Sequence, residues 1–192
     1  MALISAKTII TSISLFHITL GFFFLTNPGT IADQAVVYLL GEAMGLPYAR
    51  SFETQSPALA FLAVVLGIVG ISDLVTFSLP NEMPEHHWGL QAPLRLFFSF
   101  LLTLYTFFFG PSSPIYDSSS RGRLNHPSAH AHPPPGYVAS SWGGDALKNR
   151  VFFTFMFVET MSWFWIWVTL QEERREAAAR KVRRRSSHSH TL

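Results

Sequence analysis

The chain has no cysteine and few charged residues. Of its 192 residues, 14% are Asp, Glu, Lys or Arg, whereas soluble domains usually contain roughly 25%. The absence of cysteine excludes disulfide bonds, cysteine-ligated zinc and thiol catalysis. The sequence also lacks the motifs of serine hydrolases, P-loop proteins, zinc metalloproteases and dinucleotide-binding folds. It therefore predicts no catalytic residue, no metal site and no cofactor.

Long apolar runs dominate what is present. Hydrophobic residues make up 48% of the chain, and 18 residues are phenylalanine. A membrane-spanning helix needs roughly 20 mostly apolar residues, and several runs approach that length. These runs cover residues 9–25, 58–79, 94–109 and 151–170. The sequence therefore predicts an all-α, polytopic membrane protein with four transmembrane helices in one membrane domain.

A short amphipathic segment, residues 30–45, follows the first span. Its helical pattern places Gly41 and Glu42 on a polar side and Tyr38 and Leu39 on an apolar side. The segment is too short and too polar to cross a bilayer. An interfacial or re-entrant helix and a helix packed on the flank of the bundle both fit this pattern.

The remaining segments differ in composition from the spans. Residues 111–147 are rich in Ser, Pro and His and predict a flexible loop. The loop histidines lack a regular frame and a carboxylate, so a solvated loop is favoured over a metal site; they are His126, His130 and His132. Residues 148–185 are expected to form span 4 and a basic cytosolic helix, capped by Asp145, and residues 186–192 a disordered tail.

Two patterns predict how the spans pack and where they end. Small residues at spacings of three and four mark one face of span 2 and favour close helix packing there; they are Ala60, Ala63, Gly67 and Gly70. We therefore expect span 2 at the centre of the bundle, with Asp73 close to the same face. Near the far end of span 4, three tryptophans are typical of an aromatic belt; they are Trp163, Trp165 and Trp167.

The distribution of positive charge predicts the orientation of the chain. Four spans place both termini on one side of the membrane. The C-terminal segment is strongly basic, and its cations are Arg174, Arg175, Arg180, Lys181, Arg183, Arg184 and Arg185. The positive-inside rule therefore favours cytosolic termini, with the tail near anionic lipid. No aromatic residues interleave this run, so no nucleic-acid partner is predicted. Its end, Arg183 to Arg185, also fits an arginine-type endoplasmic reticulum (ER) retention signal.

Four ionisable residues form the candidate functional site. In this topology Asp73 and Arg95 lie near the same membrane surface, while His17 and Glu159 both lie near mid-depth. Unpaired charge is costly in lipid. We therefore expect an Asp73–Arg95 ion pair and a His17–Glu159 hydrogen bond. These pairs either fix helix pairing or form a path for protons or ions, or a site for a lipid head group.

Several short motifs follow one another between residues 9 and 176. They are Glu42-Ala43-Met44-Gly45-Leu46-Pro47, Gly70-Ile71-Ser72-Asp73-Leu74, Pro93-Leu94-Arg95-Leu96, Val158-Glu159 and Gln171-Glu172-Glu173-Arg174. Their order, and their position relative to the spans, resembles the fungal increased-loss-of-mitochondrial-DNA membrane-protein family. The resemblance implies a small multispan protein of the ER membrane that is needed for upkeep of the mitochondrial genome. It implies no established catalytic activity.

Three hypotheses about function follow. The first is a non-enzymatic accessory or structural subunit that contacts membrane lipids and a membrane-protein partner, and affects mitochondrial DNA indirectly. The second is a small membrane enzyme or binder acting on a sterol or other lipid, with Glu159 and His17 in an intramembrane cavity beside Phe155 and Trp163. The third is an ion-conducting oligomer with Asp73 and Glu159 along the path.

Overall fold

The computed structural model describes residues 4–78, 82–109 and 143–189. Its helices are α1 (Ala6–Thr26), α2 (Gly29–Ala32), α3 (Ala35–Ala43), α4 (Pro57–Thr76), α5 (Glu82–Phe108) and α6 (Arg150–Ser189), with 3-10 turns at Arg50–Phe52 and Gly143–Leu147. Among the described residues, four helices are long and apolar enough to cross a membrane: α1, α4, α5 and α6. The predicted all-α, four-span fold is therefore confirmed.

Two of the segments expected from the sequence lie partly outside these ranges. Most of the expected flexible loop at 111–147 lies outside the described residues, and its last part, Gly143–Leu147, forms a 3-10 turn. In the expected disordered tail, residues 186–189 continue α6 and residues 190–192 lie outside the description.

Local capping chemistry fixes where the long helices begin. Ser56 accepts a hydrogen bond from the Leu59 backbone N–H at 3.2 Å, and Pro57 occupies the first helical position of α4. At the start of α6, the Asn149 side chain accepts from the Phe152 N–H at 2.9 Å. The expectation that Asp145 caps this helix is therefore wrong, because Asp145 lies in the preceding 3-10 turn and pairs with Lys148.

Helix α5 starts well before the span predicted from the sequence and continues through Pro93. Proline lacks the N–H that would bond the Gly89 carbonyl, but membrane helices tolerate this where a neighbouring helix supplies contacts. Gly89 provides such a contact. A side chain there would collide with Arg174, whose Nη2 lies 1.8 Å from the position of a Cβ. The polar residues 82–92 are therefore part of the helix.

The four spans form two closely packed pairs joined through α6. Helix α1 packs along α4, and α5 packs along α6, which also contacts α1, α2 and α3. The expectation that span 2 lies at the centre is therefore wrong, since α6 has that position. The small residues of α4 serve one close approach instead. A Cβ on Gly70 would lie 2.6 Å from the Ser14 carbonyl oxygen, and one on Gly21 would lie 2.8 Å from that of Ala63.

The short segment after α1 packs on the flank of α6. It is broken between α2 and α3, where Gln34 is extended. The face that meets α6 carries Val37 and Gly41, and a Cβ on Gly41 would collide with the Arg150 side chain. Leu39 is 68% exposed, and Tyr38 is 60% exposed, with its ring centroid 5.5 Å from the Arg150 guanidinium carbon. The apolar side thus faces the surroundings, as expected where the solvent is lipid.

The core consists of two apolar clusters stacked along the bundle. The termini-side cluster comprises Ala6, Ile10, Ile13, Trp88, Ala92, Trp163, Ile166 and Leu170. The far-side cluster comprises Phe24, Ile31, Ala32, Val37, Ala49, Leu59, Ala63, Leu66 and Val151. On α1 the clusters are separated by the turn that carries His17, and on α6 by the turn that carries Glu159. The candidate site therefore lies between the two halves of the core.

Candidate functional site

His17 and Glu159 meet at the boundary between the two clusters. The His17 Nε2 atom lies 2.7 Å from the Glu159 Oε1 atom, and the two residues are only 3% and 8% exposed. One hydrogen bond thus links the imidazole of α1 to the carboxyl group of α6. Mutual pairing of this kind is what makes a histidine and a carboxyl group tolerable in the middle of a bilayer.

Trp163 completes the environment of this carboxyl group. Its indole Nε1–H donates to Glu159 Oε2 at 2.6 Å, one helical turn further along α6. Both oxygens of Glu159 therefore have partners, one from α1 and one from α6 itself. His17 is enclosed on its other side by the rings of Phe16 and Phe155, at centroid distances of 6.2 and 5.9 Å.

Asp73 and Arg95 form a second pair, which joins α4 to α5. The guanidinium donates two parallel hydrogen bonds, from Nη1 to Oδ2 at 2.6 Å and from Nη2 to Oδ1 at 2.8 Å. The Asp73 side chain is 4% exposed and that of Arg95 is 27% exposed. A two-pronged contact of this geometry fixes distance and orientation together, which lysine cannot do.

The two pairs are connected through tryptophan rings. The Arg95 guanidinium carbon lies 4.8 Å from the centroid of Trp163 and 5.7 Å from that of Trp88. These two rings stack on each other with an interplanar angle of 21°. A cation over an indole face is attracted by the ring quadrupole, most strongly where water is excluded. His17, Glu159, Trp163, Arg95 and Asp73 thus form one polar network that touches α1, α6, α5 and α4.

The structure brings together the residues that the sequence pairs, and it assigns Trp163 differently. Trp163 was expected in an aromatic belt, but it is completely buried, whereas Trp165 and Trp167 are 55% and 37% exposed. The signal in the sequence that could have predicted the contact of Trp163 with Glu159 was helical spacing. Glu159 and Trp163 are four residues apart and therefore lie on the same face of α6.

A third polar contact, not anticipated from the sequence, links the start of α6 to the end of α3. Arg150 donates to Glu42 Oε2 at 2.8 Å and to the Leu46 carbonyl at 2.7 Å. The left-handed Gly45, with φ of 61°, ends α3 and lets the Leu46 N–H bond the Gly41 carbonyl at 2.8 Å. This turn leaves the Leu46 carbonyl free to accept from Arg150.

The other residues singled out in the sequence have simpler surroundings. Ala63 and Gly70 are buried against α1, while Ala60 and Gly67 are half-buried, and a Cβ on Gly67 would meet nothing within 4 Å. Arg183 is exposed, and the side chains of Arg184 and Arg185 lie outside the description. Within the described ranges, no group of three His, Asp or Glu side chains is arranged to hold a metal ion.

A partly open cavity of about 430 Å³ lies between α1 and α6, beneath α2 and α3. Its walls are Phe16, Thr19, Leu20, Phe23, Phe24, Thr30, Ile31, Gln34, Val36, Val37, Val151, Thr154, Phe155 and Val158. His17 and Glu159 are not among the lining residues, although Phe16 and Val158 are their immediate neighbours. The network and the cavity are therefore adjacent but separate features.

Fold and site together define a polytopic α-helical membrane protein whose span 2 and span 4 carboxyl groups are bonded to partners on other helices. The family model described as increased loss of mitochondrial DNA protein 1 matches residues 4–180. This match covers nearly the whole chain, including all four spans, and the chain belongs to that family. No curated protein and no solved structure matches it.

Proposed function

We propose that the chain is a non-enzymatic, structural or accessory subunit of the ER membrane, and that its loss impairs maintenance of mitochondrial DNA indirectly. One observation carries the proposal: the carboxyl groups within the spans are occupied by their own chain. Asp73 is held by Arg95, and Glu159 by His17 and Trp163. A group with this many partners suits helix pairing better than chemistry on a substrate.

Energetic considerations favour the same role. Breaking a buried ion pair by removing one partner typically costs roughly 3–5 kcal/mol, because the other charge is left uncompensated. Such a network makes the correct arrangement of four helices much more stable than arrangements that leave a charge in lipid. The chain thereby acquires a single rigid form that a partner can recognise.

The basic end of α6 supports a position at a membrane surface. Beyond Leu170 the helix continues for about 28 Å at 1.5 Å per residue, and it carries the basic residues of the C-terminal segment. Clusters of this kind beside a span attract anionic lipid. The Arg183–Arg185 run supports a location in the ER membrane. The family description supports a link to mitochondrial DNA.

A partner search tests the proposal. The tagged chain, expressed in cells that lack the endogenous gene, is purified in a mild detergent and analysed by mass spectrometry. We expect a membrane protein to co-purify in constant stoichiometry with the wild-type chain and to be lost when Glu159→Gln loosens the bundle. Purification of the intact wild-type chain without any stoichiometric protein would contradict the accessory role.

The alternatives make different demands on the structure. An enzyme that used Glu159 or His17 would need a substrate path to them, but the cavity between α1 and α6 ends at their neighbours Phe155 and Val158. An ion path would need a polar face along a helix. Span 2, for example, presents Phe61, Ile68 and Ile71 to its surroundings. We therefore favour the accessory role over both alternatives.

A further inference from the structure

We infer that the cavity between α1 and α6 holds one acyl chain of a membrane glycerophospholipid, whose ester carbonyl accepts a hydrogen bond from Thr154. This inference does not depend on the accessory role proposed above. It concerns a separate site, which the polar network borders.

The cavity has the shape of a slot that runs along the helices. Its α1 wall consists of residues spaced three and one apart, which places them on one face of that helix; they are Phe16, Thr19, Leu20, Phe23 and Phe24. From Phe16 to Phe24 the slot extends for about 12 Å at 1.5 Å per residue. The opposite wall is a single face of α6, from Val151 to Val158. A slot between two helix faces suits a hydrocarbon chain lying parallel to them.

The slot is open to the lipid that surrounds the protein. Thr19 and Val36 both line it and are both exposed. Thr19 belongs to a membrane-spanning helix, so this part of the opening faces the hydrocarbon region. The volume lies within the range of roughly 300–1,000 Å³ typical of small-molecule sites. None of the lining residues carries a formal charge, and most are apolar, which favours an apolar chain over a charged head group in the interior.

Thr154 supplies the polar element that points to a lipid ester. It is 6% exposed, it lines the slot, and its hydroxyl has no hydrogen-bond partner among the described residues. A buried hydroxyl without a partner is destabilising. Because the Thr154 side chain lines the slot, we assign the carbonyl oxygen of the occupant as the partner of this hydroxyl. Thr154 lies about 6 Å along α6 from Arg150, near the start of this span, which favours an ester over a chain terminus as the group beside it.

Photolabelling locates the occupant directly. The purified full chain is reconstituted in phosphatidylcholine vesicles that contain a phosphatidylcholine with a diazirine on one acyl chain. After irradiation, we expect cross-links concentrated on the slot-facing residues of α1 and α6, above the level at Phe61 and Ile68, which face lipid on α4. Cross-links spread evenly over slot and surface would overturn the proposal.

A matched pair of substitutions on α1 tests whether the slot itself is responsible. Leu20→Trp fills the slot, whereas Leu15→Trp makes the same change at a residue that is 51% exposed and does not line it. Labelling of α6 should fall strongly in the first variant and stay unchanged in the second. Equal labelling in both folded variants would contradict the assignment.

Thr154→Val keeps the shape of the side chain and provides a second test if Leu20→Trp does not fold. Loss of one hydrogen bond should lower the retention of diacyl phosphatidylcholine, seen by native mass spectrometry, by about threefold to tenfold. An ether-linked analogue, which lacks the ester carbonyls, should be retained equally by both proteins. Retention of the ester lipid unaffected by Thr154→Val, or displacement of the label by a sterol but not by phosphatidylcholine, would overturn the proposed occupant.

Discussion

Glu159 combines three conditions that a carboxyl group needs in the interior of a membrane protein. It is nearly inaccessible, it faces a titratable partner on another helix, and its second oxygen accepts from an indole on its own helix. The histidine gives one carboxyl oxygen a partner from α1, and the indole holds the carboxyl group in one orientation. At this scale the site is defined by hydrogen bonds rather than by charge.

Removing only the indole donor tests this description. Trp163→Phe keeps an aromatic ring beside Arg95 but leaves Glu159 Oε2 without its bond. We expect the free energy of unfolding to fall by about 1–3 kcal/mol, which should be visible as a lower melting temperature in detergent. Trp165→Phe, at a residue that is 55% exposed, is the control and should change little. Equal melting temperatures for the two variants would show that the bond contributes nothing.

Depth along the spans was enough to predict both acid–base pairs, because ionisable groups at equal depth in neighbouring helices have few other partners. Depth along the span did not predict that Trp163 is buried against Glu159. A position near the end of a span indicates a belt only if the side chain faces lipid. That face is set by which helix packs alongside α6, which the sequence of α6 alone does not reveal.

At the scale of helices, close approach depends on individual glycines rather than on the whole small-residue stripe. Gly70 lies against the α1 backbone, whereas Gly67 in the same stripe borders open space. The sequence indicates a close contact of span 2 but not which helix makes it. For the same reason, the sequence predicted α4 at the centre of the bundle. In the structure, the stripe serves only the pairing of α4 with α1.

Two alanine substitutions separate these glycines. Gly70→Ala puts a Cβ 2.6 Å from the Ser14 carbonyl oxygen, so the backbones must move apart. Strain of this kind typically costs about 1–3 kcal/mol. Gly67→Ala meets no atom and should gain roughly 0.5–1 kcal/mol from helix propensity. Thermal unfolding in detergent should therefore shift in opposite directions, and a shift in the same direction for both would contradict this packing of α1 on α4.

The short helix α3 and the long helix α5 show a second limit of element prediction. The polar side of α3 carries Gly41 and Glu42, and it faces Arg150 of α6 rather than water. In α5, helix continues past Pro93, and Gly89, one turn before it, lies against Arg174 of α6. In both cases the local pattern does not reveal a contact that is distant in sequence.

At the scale of the whole molecule, α6 organises the bundle and contacts the start of α1. Glu173, just beyond the membrane-spanning part of α6, accepts a hydrogen bond from the Ala6 backbone N–H at 3.0 Å. The start of α1 and the exit of α6 therefore lie at the same end of the bundle. This is the arrangement that four crossings require.

The lack of cysteine makes this topology easy to measure. Single cysteines at Ala2, Ser51, Ser119 and Thr191 can be probed in sealed ER-derived vesicles with a membrane-impermeant maleimide. Cysteines at positions 2 and 191 should react from the cytosolic side, since the positive-inside rule favours cytosolic placement of the basic C-terminal segment. Those at positions 51 and 119 should react only after the membrane is opened. Labelling of 2 and 191 from opposite sides would be incompatible with four spans.

On this description of the molecule, we expect the charges within the membrane to serve only to pair with one another. The most direct measurement compares Asp73→Leu, Arg95→Met and the double variant in cells lacking the endogenous gene, scoring folded protein and retention of mitochondrial DNA. Each single variant should lose most of the folded protein, because an unpaired buried charge costs about 3–5 kcal/mol. The double variant should recover both readouts. A double variant that folds as well as wild type while the cells still lose mitochondrial DNA would show that this pair does more than hold helices together, and would contradict the account.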